Sequence, residues 1–456
     1  MSLALPLGLV WVGAAVTALL DGRRRAVGWA AVGVLGAGFV ALCVLLALVL
    51  AEGPRTVVAG DWPSGVGIAL RADALGVVFA VLSMGVLLAG LAYEVVAGMA
   101  SRKTPALVLF MGAGLTGLFL TADIFNFYVF FELSMVAAYA VSTYGGERHQ
   151  VGAGFIFAVV NLLGTFLFLI GLAAVYAVTG TLDMDGVGAV LAQARPTAVA
   201  LIGVSILVAF SIKLGLFPFH FWLPAVYVGV TPGVAAILSG ALANIGSYGL
   251  LRFGGDLLPD LFAAGSTVLL VLGSASIVYG AVQAISRRST SEVLAYSAIG
   301  QVGYVLIALG VGGPVGYAAA VLYAIVNALN KALLFLTARV RGWLVGACFA
   351  VGAFSVAGVP PSAGFFGKVE LFRAGIEARS AVLVGLIFLG GALSFVYMFQ
   401  IYQRDFWREA RHHLGGRALQ LPGVLLALVV LGLGLWPEPL LAVSREAAGA
   451  LRGGGG

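Results

Sequence analysis

The sequence predicts an all-α polytopic membrane protein with about 14 transmembrane helices, two of them discontinuous. Three observations carry this. The 456 residues are 61% hydrophobic and 10% charged, with a mean hydropathy of +1.09, which leaves too little polar surface for a water-soluble globule. Apolar runs of roughly 18 to 25 residues recur along the whole chain, the length an α-helix needs to cross about 30 Å of hydrocarbon. Alternating strands of about ten residues, which a membrane β-barrel would need, do not occur in the pattern.

The apolar runs place spans at 3–20, 26–50, 74–98, 105–121, 123–144, 151–178, 198–226, 231–253, 262–284, 291–311, 316–338, 346–375, 381–402 and 420–441. The first is expected to be retained and not a signal peptide, because Arg23, Arg24 and Arg25 follow it and no small-residue cleavage site is evident. Orientation follows from the loops. One side holds Arg23 to Arg25, Arg102, Lys103, Arg148, Arg287, Arg288, Arg339, Arg341, Arg404, Arg408, Arg411 and Arg417, fourteen cations in all. The other side holds eight arginines and most acidic loop residues, among them Asp61, Asp183, Asp185, Asp256 and Asp260. The positive-inside rule therefore puts both termini outside the cytoplasm. The formal charge of +6 reflects this bias and calls for no nucleic-acid partner.

Several chemistries lose their footing. Cys43 and Cys348 sit in apolar segments without a CxxC, and His149, His220, His412 and His413 show no metal spacing beyond one adjacent pair, so no metal or cofactor is expected. The 65 glycines include no GxxxxGK[ST] and no strand-led GxGxxG, and close helix packing is the better reason for them.

Lysine placement is the informative count. Of 25 basic residues only four are lysine, and three of these, Lys213, Lys331 and Lys368, lie in apolar segments. A charge at the bilayer centre costs about 2.5 to 3.5 kcal/mol on insertion scales. A lysine in dry surroundings can give up its proton, whereas arginine keeps its charge. Glu132, ringed by Phe130, Phe131 and Leu133, is the matching buried carboxylate, and Lys213 is its first candidate partner. That pair is either a switch of proton affinity or a fixed link between two helices.

Two stretches break helices where spans should continue. GLFPFHFWLPA (215–225) carries Pro218 and Pro224, and VAGVPPSAGFFGKVELF (356–372) carries Pro360 and Pro361 before Lys368. Irregular backbone at membrane depth is tolerated only inside protein or beside water, and paired discontinuous helices point to ion sites in transporters. His220 in the first break is either a polar cap for the broken helix or a proton relay. FAVVNLLGTFLFLI (157–170) aligns without gaps on YAIVNALNKALLFL (323–336), with Thr165 opposite Lys331. Each precedes a lysine-bearing break, the placement an inverted repeat requires.

FNFYVFFE, NLLGTFLFLIG, KLGLFPFHFWLPAVY, SYGLLRF, NKALLFL and GVPPSAGFFGK together resemble the antiporter-type subunits shared by respiratory complex I, membrane-bound hydrogenases and Mrp multisubunit cation/proton antiporters. The resemblance runs from about residue 59 to 403. GDWPSGVGIALRADALG and GTLDM are most similar to the D-type subunit of Mrp antiporters. The resemblance implies two inverted five-helix repeats, residues 105–253 (spans 4–8) and 262–402 (spans 9–13), between an N-terminal three-helix region (1–104) and a tail (403–456) with span 14. It implies a midplane proton axis of Glu132, Lys213, Lys331 and Lys368, coupled to Na+ or K+ exchange. It further implies other membrane subunits as partners, A-like and C-like among them, a bacterial plasma-membrane setting and no enzyme chemistry of the chain's own.

The chain departs from that pattern at Asn244 and Asn327, where lysine and histidine are usual. Asparagine can only orient water or share hydrogen bonds. The link RVRGWLVG after Lys331 is also shorter than expected. Two alternatives follow: a proton-pumping subunit of a complex I-like or hydrogenase-like redox complex, or a non-conducting scaffold.

Overall fold

The computed structural model describes residues 3–58, 67–99, 101–408 and 416–451. Arg411, His412, His413 and the whole GDWPSG stretch, Asp61 included, lie outside the described residues, as do the side chains of Arg408 and Arg417. The chain runs α1 (Ala4–Leu19), α2 (Arg25–Glu52), a hairpin of β1 (Arg55–Val58) and β2 (Ala69–Ala72), α3 (Ala74–Ala97), α4 (Thr104–Leu120), α5 (Ile124–Thr143), α6 (Arg148–Thr179), α7 (Met184–Leu191) and α8 (Pro196–Leu214). It continues through α9 (Trp222–Gly229), α10 (Pro232–Ile237), α11 (Asn244–Arg252), α12 (Pro259–Ala264), α13 (Ser266–Ser286), α14 (Thr290–Val311) and α15 (Gly313–Ala338). The last elements are α16 (Trp343–Ala357), α17 (Ala363–Glu377), α18 (Ala381–Tyr402), α19 (Arg417–Leu435) and α20 (Glu438–Gly449).

Among the described residues, eleven helices are long and apolar enough to cross a membrane, counting Pro196–Gly229 and Pro232–Leu257 as one span each, and three shorter apolar helices, α1, α4 and α16, stand where spans are expected. These fourteen segments fall on the fourteen apolar runs.

Three details differ from the sequence reading. The chain is not wholly α-helical: β1 and β2 pair antiparallel, Arg55 opposite Ala72 and Val58 opposite Ala69, where Thr56, Val57 and Val58 favour extended backbone. The last span stops at Leu435, and Pro437 starts the separate helix α20, which buries Leu440, Ser444, Ala447 and Ala448. The tight link between α15 and α16 is accommodated because Arg341 donates to the Ala338 carbonyl at 2.7 Å and to Asp405 at 3.1 Å, pinning the turn.

The centre of the molecule is made of α3, the α10–α11 span, α14 and α15. Their most apolar windows are 78%, 94%, 94% and 100% buried, against 28% for α2 at the periphery. Peripheral helices such as α6 expose Phe155, Phe166 and Ile170, which suits a lipid-facing surface. Small residues allow close approach in the interior. A Cβ on Gly273 of α13 would lie 2.7 Å from the Gly303 carbonyl of α14, so neither helix could tolerate a larger residue there without moving apart.

Candidate functional site

Both expected breaks are present and are built alike. Helix α8 ends at Leu214, Gly215 takes a left-handed φ of 66°, and the Phe217–Pro218 bond is cis before a short 3-10 turn (Phe219–Phe221) leads into α9. Helix α16 ends at Ala357, Gly358 takes φ 85°, and the Pro360–Pro361 bond is cis before α17. In each, glycine supplies the positive φ that L-residues avoid. Pro224 departs from the expectation. It lies in the first turn of α9, where a missing N–H removes no intrahelical bond, so it does not break the helix. The lysines sit on opposite sides of their breaks: Lys213 precedes Gly215, and Lys368 follows Gly358.

Lys213 is buried, 4% exposed. Its Nζ contacts the Met135 Sδ and lies 5.8 and 5.6 Å from the ring centroids of Phe131 and Phe157. The expected direct ion pair with Glu132 is not among the salt bridges of the described residues. Met135, one turn along α5 from Glu132, takes the ammonium instead. The Glu132 Oε1 is buried without a hydrogen bond. The Lys213 ammonium thus has a soft, polarisable sulfur beside it in place of a carboxylate.

In the second half, Lys331 donates to the Ala298 carbonyl of α14 at 3.3 Å. Asn327, one turn earlier on α15, and Asn330 each keep a buried Oδ1 without a partner. Lys368 has no hydrogen bond and no salt bridge among the described residues. Its Nζ sits 3.1 Å from the centroid of the Tyr304 ring and 5.2 Å from that of Tyr323. Beside it, Gln301 accepts from the Tyr323 hydroxyl and donates to Ser394 and Tyr397 at 3.2 Å each.

His220 stacks on Phe217, with centroids 5.6 Å apart, and meets the Tyr279 ring at a tilt of 53°, with centroids 4.3 Å apart. No side chain caps α9, so the capping alternative is not realised. Its Nδ1 is buried and unpaired. Asn244 donates to the Ser83 Oγ at 3.0 Å and to the Gly240 carbonyl at 2.9 Å. It lies two residues after a π-helical turn, Leu238–Leu242, a distortion common at functional positions.

Two buried clusters escaped the sequence reading. Arg252, 2% exposed, lies between Asp73, Asp256 and the Tyr248 hydroxyl, while Arg71 reaches Asp73, Asp185 and Asp256. Glu94, 7% exposed near the end of α3, accepts from the Thr231 hydroxyl at 2.6 Å, at the start of α10. The signals were present: Arg252 is an arginine inside a span, and Glu94 is a carboxylate within one turn of a span end.

The family described as NADH:quinone oxidoreductase/Mrp antiporter, TM, matches residues 121–343 and 339–394. The chain is 30% identical over 417 residues to the D-type Na(+)/H(+) antiporter subunit of Alkalihalophilus pseudofirmus, covering 85% of this chain and 84% of that protein. It is 33% identical over 451 residues to the N-type NADH-quinone oxidoreductase subunit of Desulforudis audaxviator, covering 89% and 88%. Among solved structures, a chain of the Mrp complex from Dietzia sp. superposes with a TM-score of 0.91 at 27% identity, over 98% of this chain and 97% of that one. With the family model matching more than half of the chain and relatives at 30% and 33% identity over most of its length, this chain belongs to the NADH:quinone oxidoreductase/Mrp antiporter family of membrane subunits.

Proposed function

We propose that the chain is the D-type, proton-moving subunit of a multisubunit Na+(K+)/H+ antiporter. The observation that carries the reading is the burial of Lys213, Lys331 and Lys368, at 4%, 6% and 4% exposure, with none in a salt bridge among the described residues. Lysines kept dry and without a bound carboxylate suit carriers better than fixed structural charges. Protons pass between Glu132 and the three lysines, with His220, Asn244 and Asn327 orienting the groups between them. Residues 105–253 and 262–402 act as two related halves, each with one discontinuous helix. The complex resides in a bacterial plasma membrane, with both termini of this chain outside and A-like and C-like subunits at its flanks.

The test is pH-gradient-driven Na+ or K+ exchange in vesicles carrying the assembled complex with Glu132→Gln. Glutamine keeps the shape and hydrogen bonds but removes the charge. Exchange should fall about a hundredfold while the complex is still recovered intact. Exchange near the wild-type rate would leave Glu132 as a structural residue.

A second reading is favoured by the 33% identity to the N-type oxidoreductase relative: the same proton path serving a redox-driven complex whose electron carriers lie in other subunits. NADH-dependent proton uptake by purified native complex, with no cation exchange, would select it.

A further inference from the structure

Lys368 poses a problem that the antiporter reading leaves open. Its ammonium is almost fully buried and has neither a hydrogen-bond acceptor nor a carboxylate partner among the described residues. An isolated buried cation is costly, so something else must hold it.

The surroundings have one consistent feature. The Nζ lies over the face of Tyr304 from α14, 3.1 Å from its centroid, and 5.2 Å from that of Tyr323 on α15. The two rings are 5.1 Å apart and inclined at 52°, so they form two walls of one box. Both tyrosines are buried, and the Tyr304 hydroxyl has no hydrogen-bond partner. Tyr304 therefore contributes its ring face, since its polar end is unused. Tyr323 is fixed by donation to Gln301, which is itself held by Ser394 and Tyr397 of α18.

The backbone makes room for this box. A Cβ on Gly358 would lie 2.5 Å from the Lys368 Cγ, and one on Gly367 would lie 3.2 Å from Tyr323 Cδ2. A Cβ on Gly390 of α18 would collide with the Tyr304 hydroxyl. Three glycines thus leave the space that the lysine stem and the two rings occupy. Close fitting around a side chain with no polar partner is hard to explain as packing alone, because a leucine would fill the same space without the cost of the charge.

We propose that Tyr304 and Tyr323 form an aromatic clamp that holds the Lys368 ammonium by its charge, in place of a counter-ion, with Gln301 as the residue that positions the clamp. A ring face attracts a cation by about 2 kcal/mol or more when water is excluded, yet it accepts no proton. Lys368 can therefore bind and release a proton without a fixed carboxylate to trap its charged form. This rests on the reading of the chain as a proton-moving subunit, and it adds two aromatic residues and one amide to that path as positioning residues.

The experiment uses the assembled complex in vesicles, with exchange driven by a pH gradient. Tyr304→Phe sets the baseline, since it keeps the ring and drops only an unpaired hydroxyl. Phenylalanines with one, two and three ring fluorines are then placed at position 304 by nonsense suppression. Fluorine withdraws charge from the ring face with little change of shape. Exchange should fall stepwise along the series, to about a tenth or less of the baseline, and Tyr304→Leu should match the most fluorinated member. Gln301→Glu should retain more exchange than Gln301→Leu, because it can still accept from Tyr323. A fluorination series with constant activity overturns the clamp, and so does full activity in Tyr304→Leu. Wild-type complex without exchange would instead count against the antiporter reading, while the fluorination series alone reports on the clamp.

Discussion

Arg252 donates through one nitrogen to both carboxylate oxygens of Asp73, at 2.8 and 2.7 Å, across 179 residues of sequence. The same Asp73 caps α3 by accepting from the Gly76 N–H at 2.8 Å. The start of one central span is thereby tied to the end of another, next to Arg71 and Asp256. Asp73→Asn isolates the charge, because asparagine is an equally good helix cap. It should destabilise the protein by about 3 to 5 kcal/mol through the unpaired buried Arg252, measured as loss of intact complex on heating. Arg252→Met should cost a similar amount, and the double variant less than the sum. Additive losses would show that the two residues act separately.

Asp73 lies just before α3, and its titration gives a signed expectation. Burial alone would raise its carboxyl, but Arg252 and then Arg71 hold it below the usual carboxylate range. A folded value below the unfolded one, about 3.9, means that the stabilisation is complete at neutral pH and is lost as pH falls through the folded value. The difference in melting temperature between wild type and Asp73→Asn should be flat from about pH 8 to 5 and narrow only below about pH 4. Narrowing that is complete by about pH 5 would mean that the carboxyl is not held down.

The spans were legible because burial in lipid needs only length and apolarity, and the breaks were legible because Gly215 and Gly358, with the prolines that follow, leave no helical alternative. What sits against each buried charge was not. Met135 and not Glu132 contacts Lys213, a choice set by one helical turn of α5. The rings around Lys368 come from α14 and α15, and no local pattern links residues 304, 323 and 368. The Arg252 cluster was hidden for the same reason, as its partners are drawn from separate stretches of the chain. Only the first turn of α20 was merged into the last span, because Leu440 and Leu441 resume the apolar run after the short Pro437–Glu438–Pro439 interruption.

By the positive-inside rule, the loop asymmetry of fourteen cations against eight predicts both termini outside the cytoplasm. Cysteines introduced at Ser2 and Arg411, in a background lacking Cys43 and Cys348, should react with a membrane-impermeant thiol reagent from opposite sides. Reaction from the same side would require an even number of crossings between them, against the thirteen spans that the apolar runs place there.

Arginine substitution asks whether the interior lysines carry protons or only hold charge. A site that needs a permanent cation should accept arginine with partial loss from its larger head group. One that must release a proton should not, because the guanidinium stays charged even when buried. Lys213→Arg and Lys331→Arg should therefore lose exchange about as fully as the methionine variants, on the order of a hundredfold. Steric failure is a competing cause at Lys213, whose head group is enclosed by Met135, Phe131 and Phe157. Lys331 separates the two causes, since its Nζ meets a backbone carbonyl at Ala298, an acceptor that a guanidinium can also use. At Lys368, arginine can still stack on Tyr304, so the clamp would bind it while the proton path would be closed. The readout is cation exchange in vesicles, with recovery of intact complex as the control for assembly. Substantial exchange in Lys331→Arg would remove the proton-carrier role and leave a fixed charge in its place.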